Sequence, residues 1–221
     1  MATPSVTIPA DLRKRILFTL AVLAVYRLGV HVPVPGVDAN AMMGFFQKQS
    51  SGGIFGLFNT FTGGALERFS IFALGIMPYI SASIIFQLLQ TAVPYLEQLK
   101  KEGEPGRKKI NQYTRYATIV LAVVQGLGMA SYLASSPEGV NLVTTRHFAP
   151  LVSFHVMTVF TLVAGTCFVM WLGEQITERG IGNGSSLIIF TGIAAGLPSG
   201  AMRLWTMVSS GELNGLLALG I

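Results

Sequence analysis

The sequence predicts an all-α, polytopic membrane protein with five transmembrane helices and a short re-entrant half-helix. Only 11% of the 221 residues are charged and 51% are hydrophobic, whereas ordinary globular chains carry about 25% charged residues. Five stretches of the chain approach the length of about 20 mostly apolar residues that crosses a bilayer as a helix. A soluble surface cannot be built from so few charges, and a disordered chain would be polar.

The five spans are predicted at about residues 16–34, 69–96, 116–136, 151–172 and 185–205. Arg27 interrupts the first span near its outer end, where its long side chain can reach water, so we expect a structural role for it. The second span contains no charged residue but includes Pro78, which we expect to bend the helix. After the fifth span the chain continues as GLLALGI and stops, which suggests part of a longer protein.

Lysine and arginine are distributed asymmetrically, and basic loops stay on the cytoplasmic side of a membrane. Three cations precede the first span and six lie between the second and third spans: Arg13, Lys14, Arg15, Lys100, Lys101, Arg107, Lys108, Lys109 and Arg115. The other loops before the fourth span are nearly balanced in charge. The amino terminus of this multi-pass protein is therefore predicted to be cytoplasmic, and the fifth span is predicted to end on the outer side. This placement, rather than nucleic-acid binding, accounts for much of the net charge of +5.

The loop after the first span combines a rigid stretch with a short apolar one. In HVPVPGVD each proline keeps its predecessor out of the helical region, so we expect extended backbone. Residues 53–68 contain about eight apolar residues bounded by glycine pairs, too few to cross a bilayer. Two interpretations remain open: a half-helix that re-enters from outside, or an amphipathic helix on the outer surface.

Small residues recur every four positions in the third and fifth spans and indicate close helix packing. They are Ala122, Gly126, Ala130 and Ala134, and then Gly192, Gly196 and Gly200. Gln125 is the conspicuous polar residue in mid-membrane. Its amide is expected either to hydrogen-bond a neighbouring helix or to take part in gating.

The sequence gives no sign of an enzyme or of a cofactor or metal site. Ser185 and Ser186 begin the fifth span on the cytoplasmic side, whereas the three histidines lie toward the outside, so a nucleophile and base cannot meet. GIGNGSS lacks the lysine of a phosphate loop, and we expect Asn183 or a serine to cap the fifth helix. Cys167 lies in an apolar run and is expected to be an inert buried thiol.

Three long motifs occur in an order that closely resembles the bacterial SecY family. They are FALGIMPYISASI (72–84), KEGEPGRKKINQYTRY (101–116) and GEQITERGIGNG (173–184). PVPGVD and GGIFGLFNTFTGGALERFS fit the same family. Members have ten spans in two inverted five-span halves, so the resemblance implies that this chain is the N-terminal half. It also implies a pore-forming subunit that conducts unfolded polypeptides across the plasma membrane and releases apolar segments sideways into lipid.

The resemblance assigns three sets of site residues. The plug that seals the closed pore corresponds to about 53–68 and includes Ile54, Phe55, Leu57, Phe58, Asn59 and Phe61. The pore ring includes Ile76, Ile80 and Ile189, whose branched side chains would form a poorly wetted collar. The lateral gate includes Met77, Ser81 and Gln125.

The resemblance also implies partners and no cofactor. SecE and SecG would be membrane subunits, SecA or a ribosome would dock on the cytosolic side, and precursors of secreted and membrane proteins would pass through. The C-terminal half of the same protein would complete the wall around the pore, and the lipid bilayer would surround it. The residues themselves leave two other classes of protein open: a small-solute transporter built from inverted repeats, and a structural assembly factor.

Overall fold

The computed structural model describes residues 10–49, 54–135, 143–144, 147–149 and 152–209. These residues form eight helices: α1 (Ala10–Gly29), α2 (Ala39–Gln49), α3 (Ile54–Phe61), α4 (Met77–Ala92), α5 (Pro94–Lys101), α6 (Glu104–Ala134), α7 (Phe154–Arg179) and α8 (Gly184–Ser209). One small antiparallel hairpin, β1 (His147–Ala149) and β2 (Val152–Ser153), precedes α7. The fold is therefore helical, as the composition predicts.

Three of the described helices, α6, α7 and α8, are long and apolar enough to cross a membrane. The pair α4 and α5 would make a fourth span together, although the two helices are bent by 97° at the break between them. In α1, Arg13, Lys14 and Arg15 occupy the first turns, which leaves about 21 Å of helix beyond these charges. The total of five spans stays a prediction.

The second predicted span, 69–96, is not one continuous helix, and this expectation was wrong in two places. Residues 62–76 form turns, and the helix begins only at Met77. Pro78 therefore lies in the first turn of α4, where a missing N–H costs nothing, so it starts the helix instead of bending it. At the other end Val93 is extended, with φ −107° and ψ 115°, and Pro94 begins α5. A residue before proline avoids the helical region, which explains the break.

The non-helical segment at 69–71 is buried and its backbone is paired. The N–H of Val34 donates to the carbonyl of Phe69 at 2.9 Å, and the N–H of Ile71 donates to the carbonyl of Val32 at 2.9 Å. Pro33 and Ser70 form an isolated antiparallel bridge between these two hydrogen bonds. The extended backbone predicted for HVPVPGVD is thus present only around Pro33 and Val34, where it satisfies polar groups that would otherwise be buried without partners. Pro35 and Gly36 instead form a turn, in which Gly36 has φ +86°.

The small-residue faces pack closely over only part of their predicted length. Ala122 and Ala130 are fully buried, and Gly126 faces Val159 and Leu162 of α7. The last member of that series, Ala134, is exposed. This face lets α6 and α7 pack side by side, the most extensive helix pair in the described structure.

Candidate functional site

The half-helix α3 is followed by a tight turn at two glycines. Eight residues of helix are about 12 Å long, well short of the roughly 30 Å hydrocarbon core of a bilayer. Gly63 and Gly64 then adopt φ values of +65° and +85°, which favour glycine. The N–H of Gly64 donates to the carbonyl of Asn59 at 2.9 Å. The turn therefore ends the helix and reverses the chain.

Three successive carbonyls at the end of α3 each face a residue of α1 or α8. The hydroxyl of Tyr26 donates to the carbonyl of Thr62 at 3.3 Å, and Nη1 of Arg27 donates to the carbonyl of Gly63 at 2.9 Å. A Cβ atom built on Gly192 of α8 would lie 2.6 Å from the carbonyl oxygen of Phe61. The end of α3 is thus held between α1 and α8.

A second set of contacts joins α3 to the turn that follows it. Nδ2 of Asn59 donates to Oε2 of Glu67 at 3.2 Å, and the N–H of Glu67 donates to Oδ1 of Asn59 at 2.9 Å. Of the predicted plug residues, Leu57, Phe58 and Phe61 are exposed at 64%, 40% and 41%. The side chains of Ile54 and Phe55 lie outside the described part of the structure. Leu57, Phe58 and Phe61 therefore give α3 an exposed apolar surface, while the amide of Asn59 turns back toward Glu67.

A cavity of about 520 Å³ opens beside α3 and brings together several predicted site residues. Met77 and Ser81 of α4, Gln125 of α6 and Phe58 of α3 all line it. Met77, Ser81 and Gln125 were predicted from one resemblance, and the structure places all three on one surface. None of the described residues that line the cavity is charged: Met42, Phe45, Phe46, Phe58, Thr62, Leu66, Phe69, Ala73, Leu74, Met77, Ser81, Gln125, Gly128, Met129, Tyr132 and Leu133. The cavity suits an apolar occupant.

The helix α2 was not predicted, and it supplies one wall of this cavity through Met42, Phe45 and Phe46. Oδ1 of Asp38 accepts hydrogen bonds from the N–H groups of Asn40 and Ala41, at 2.8 and 3.2 Å, and so caps the start of α2. An aspartate followed by apolar residues at spacings of three and four is a signal for such a helix. It was overlooked because the segment is too short and too polar to be a membrane span.

The three isoleucines of the predicted ring belong to one apolar cluster but differ in burial. Ile76 is the residue that precedes α4 and is only 4% exposed. Ile80 and Ile189 are partly buried at the edge of the same cluster, in which Ile188 is almost fully buried. Ile76 and Ile80 are one helical turn apart, since the N–H of Ile80 donates to the carbonyl of Ile76 at 3.1 Å. Ile80 and Ile189 thus retain exposed surface, whereas Ile76 packs inside the cluster.

The loop between α7 and α8 is compact and fixed by its glycines. A Cβ on Gly184 would overlap the carbonyl of Gly173, so the two helices meet with no room for a side chain. Oδ1 of Asn183 accepts from the N–H of Ser186 at 3.2 Å, which confirms the predicted cap of α8. Nη1 of Arg15 in α1 donates to the carbonyl of Gly180 at 3.4 Å. These contacts tie the start of α1 to the α7–α8 loop.

An ion pair joins α6 to α7 near the same end of the molecule. Nε of Arg115 lies 2.7 Å from Oε1 of Glu174, whose side chain is 18% exposed. Arg115 belongs to the motif 101–116 and Glu174 to the motif 173–184. Two of the three long motifs that carry the family resemblance therefore meet in space.

Comparison with known proteins identifies relatives along nearly the whole chain. The model of the SecY family matches residues 70–221. Protein translocase subunit SecY of Pseudomonas aeruginosa is 51% identical over 212 residues, which cover 96% of this chain and 46% of that protein. The subunit of Escherichia coli K12 is 52% identical over 209 residues, covering 95% of this chain and 46% of that protein. The chain thus spans about half the length of these relatives.

Solved structures share the fold at lower sequence identity. A protein-conducting channel superimposes with a TM-score of 0.63 at 20% identity, covering 94% of this chain and 44% of that one. Sec61 from the canine ribosome–channel complex gives the same TM-score, identity and coverage. The sequence relatives and the shared helical architecture agree with each other. By the match of the family model over 70–221, this chain belongs to the SecY family.

Proposed function

We propose that this chain is the N-terminal half of a protein-conducting channel, which moves unfolded polypeptides across the plasma membrane and releases apolar segments into lipid. The observation that carries the proposal is the seat of α3. A helix too short to cross a bilayer is held at one end by Tyr26, Arg27 and Gly192, and its apolar face borders a large uncharged cavity. That arrangement suits a removable seal beside a path for apolar and unfolded chain.

The half-helix α3 and the turn after it act as the plug in this proposal. Non-helical backbone at membrane depth is tolerated where protein buries it, and the described backbone after α3 meets that condition. Ile80 and Ile189 form part of the constricting ring, with Ile76 supporting it from behind. Met77, Ser81 and Gln125 line the lateral gate, through which apolar segments leave.

Orientation and partners follow the charge distribution and the family. The amino terminus and the basic segment formed by the end of α5 and the start of α6, with Lys100 and Lys108, face the cytosol, where SecA or a ribosome would dock. SecE and SecG would surround the shell, and the C-terminal half of the protein would supply its other wall. Because the proposed activity is passive conduction, the chain itself performs no bond chemistry.

Reconstitution into sealed vesicles tests the function directly. We expect the full-length protein, with its motor, ATP and a secretory precursor, to import the precursor into a protease-protected space. Vesicles holding only residues 1–221 should not do so, because one wall of the pore is missing. Uptake of a small solute without any precursor import would instead favour the inverted-repeat transporter.

A further inference from the structure

We propose that Arg27 is an electrostatic latch that holds the half-helix α3 in its resting position. This inference rests on the proposed plug role of α3 and adds the residue that controls it. Nη1 of Arg27 lies 2.9 Å from the carbonyl oxygen of Gly63, two residues beyond the end of α3. The carbonyl end of a helix carries partial negative charge, so a cation there stabilises the helix and its position.

The guanidinium of Arg27 is directed at backbone rather than at a carboxylate. No salt bridge in the described part of the chain includes Arg27, and the residue is half-buried. A charge-assisted hydrogen bond in such a setting is stronger than a neutral one. If α3 moved away, the guanidinium of Arg27 would lose its hydrogen bond to the carbonyl of Gly63 until water replaced that carbonyl. The contact therefore favours the seated half-helix without making its release impossible.

The backbone of the turn is shaped to present this carbonyl. Gly63 has φ +65°, and a Cβ atom there would lie 2.6 Å from Nη1 of Arg27 and 2.8 Å from Cα of Gly192. A side chain at position 63 would thus push the guanidinium of Arg27 away from the carbonyl of Gly63. Tyr26 adds a second, neutral contact through its hydroxyl. Its ring stacks on Phe72 with centroids 5.8 Å apart, which fixes the neighbouring Arg27 on the same turn of α1.

The test measures the mobility of α3 in the full-length protein reconstituted in vesicles. A spin label is placed on Leu57→Cys, an exposed position of α3, in a background without other cysteines. Arg27→Gln should increase the label's mobility and raise resting ion leakage on the order of tenfold, as expected for loss of one charge-assisted hydrogen bond. Arg27→Lys keeps the charge and should restore much of the parent behaviour. Arg13→Gln, which removes a cation from the exposed start of the same helix, is the matched control.

Tyr26→Phe provides a second variant that keeps the ring stacked on Phe72 while removing only the hydroxyl. It should increase label mobility less than Arg27→Gln does. If the label on Leu57→Cys is as immobile in Arg27→Gln as in the parent, the latch is overturned.

Deletion of residues 54–62 separates this inference from the plug proposal. Leakage after deletion, combined with an unchanged label in Arg27→Gln, would retain the plug and reject the latch. A mobile label in Arg27→Gln, combined with a deletion variant as ion-tight as its parent, would retain the latch and reject the sealing role.

Discussion

The carbonyl of Phe61, the last residue of α3, lies directly against the backbone of Gly192 in α8. A methyl group at position 192 would be 2.6 Å from that oxygen and 3.2 Å from the N–H nitrogen of Gly63. Both neighbours are backbone atoms, so they cannot rotate away as a flexible side chain would. Position 192 is therefore where the backbone of α8 limits how closely the end of α3 can approach.

Gly192→Ala should therefore displace the end of α3 without unfolding α8. Overpacking of this kind costs about 1–3 kcal/mol, and resting ion leakage through the full-length channel should rise. Gly196→Ala is the matched control, because a Cβ at position 196 would meet no atom within 4 Å. Equal leakage from the two variants, measured by ion flux from vesicles, would show that α3 does not depend on this contact.

The predicted pore ring should divide into one packing residue and two lining residues. Ile76 is 4% exposed, so Ile76→Ala should lower thermal stability, by about 2–5 kcal/mol for a buried isoleucine. Ile80 and Ile189 are only partly buried. Ile80→Ser combined with Ile189→Ser should wet the collar, raise resting leakage and admit precursors with defective signal sequences.

The triple variant Ile76→Ser, Ile80→Ser and Ile189→Ser tests the ring as a whole. It should leak more than the double variant and assemble less well. If the triple variant assembles normally and stays as ion-tight as its parent, with residues 54–62 also deleted, these isoleucines do not form a ring.

The ion pair between Arg115 and Glu174 should stabilise the contact of α6 with α7 by about 1 kcal/mol. A double-mutant cycle with Arg115→Gln and Glu174→Gln, followed by thermal unfolding in detergent, measures the coupling. The pair Lys101–Glu97 is the control, since both of its side chains are more exposed, at 72% and 50%. A coupling no larger than that of the control would mean that Arg115 and Glu174 merely lie near each other.

The charge asymmetry predicts which loops face the cytosol. A cysteine at Lys108 should react with a membrane-impermeant label only from the cytosolic side, in a background that lacks Cys167. A cysteine at Pro137, which lies outside the described residues, should react only from the opposite side. Labelling of the Lys108 position from outside alone would reverse the topology.

The helices of this fold could be predicted from apolar length, but the turns buried among them could not. The long apolar windows became α6, α7 and α8, three helices that are long and apolar enough to cross a membrane. Residues 69–76 are equally apolar for another reason: Phe69, Phe72 and Ile76 are buried by neighbouring segments of the protein. Hydropathy does not distinguish these two causes. The predicted second span therefore included residues 69–76, which are not helical.

Contacts between distant segments were also beyond the reach of the sequence. Asn183 could be predicted as a helix cap because its partner, Ser186, is three residues away. Arg27 meets the carbonyl of Gly63 across 36 positions of sequence, and a charge near the end of an apolar run suggests only access to water. Met77 and Ser81 were assigned to a lateral gate through the family resemblance alone, and no sequence pattern predicted the cavity that they line with Gln125.

In the proposed function, a translocating polypeptide passes the face formed by α4 and α8. A precursor arrested in the full-length channel, with a single cysteine in the segment that spans the membrane, measures this contact directly through disulfide formation. We expect crosslinks to cysteines placed at Ile80 and Ile189, and few to a cysteine at Phe160, whose side chain is 73% exposed on α7. Crosslinks that are absent from positions 80 and 189, or equally strong at position 160, would contradict the claim.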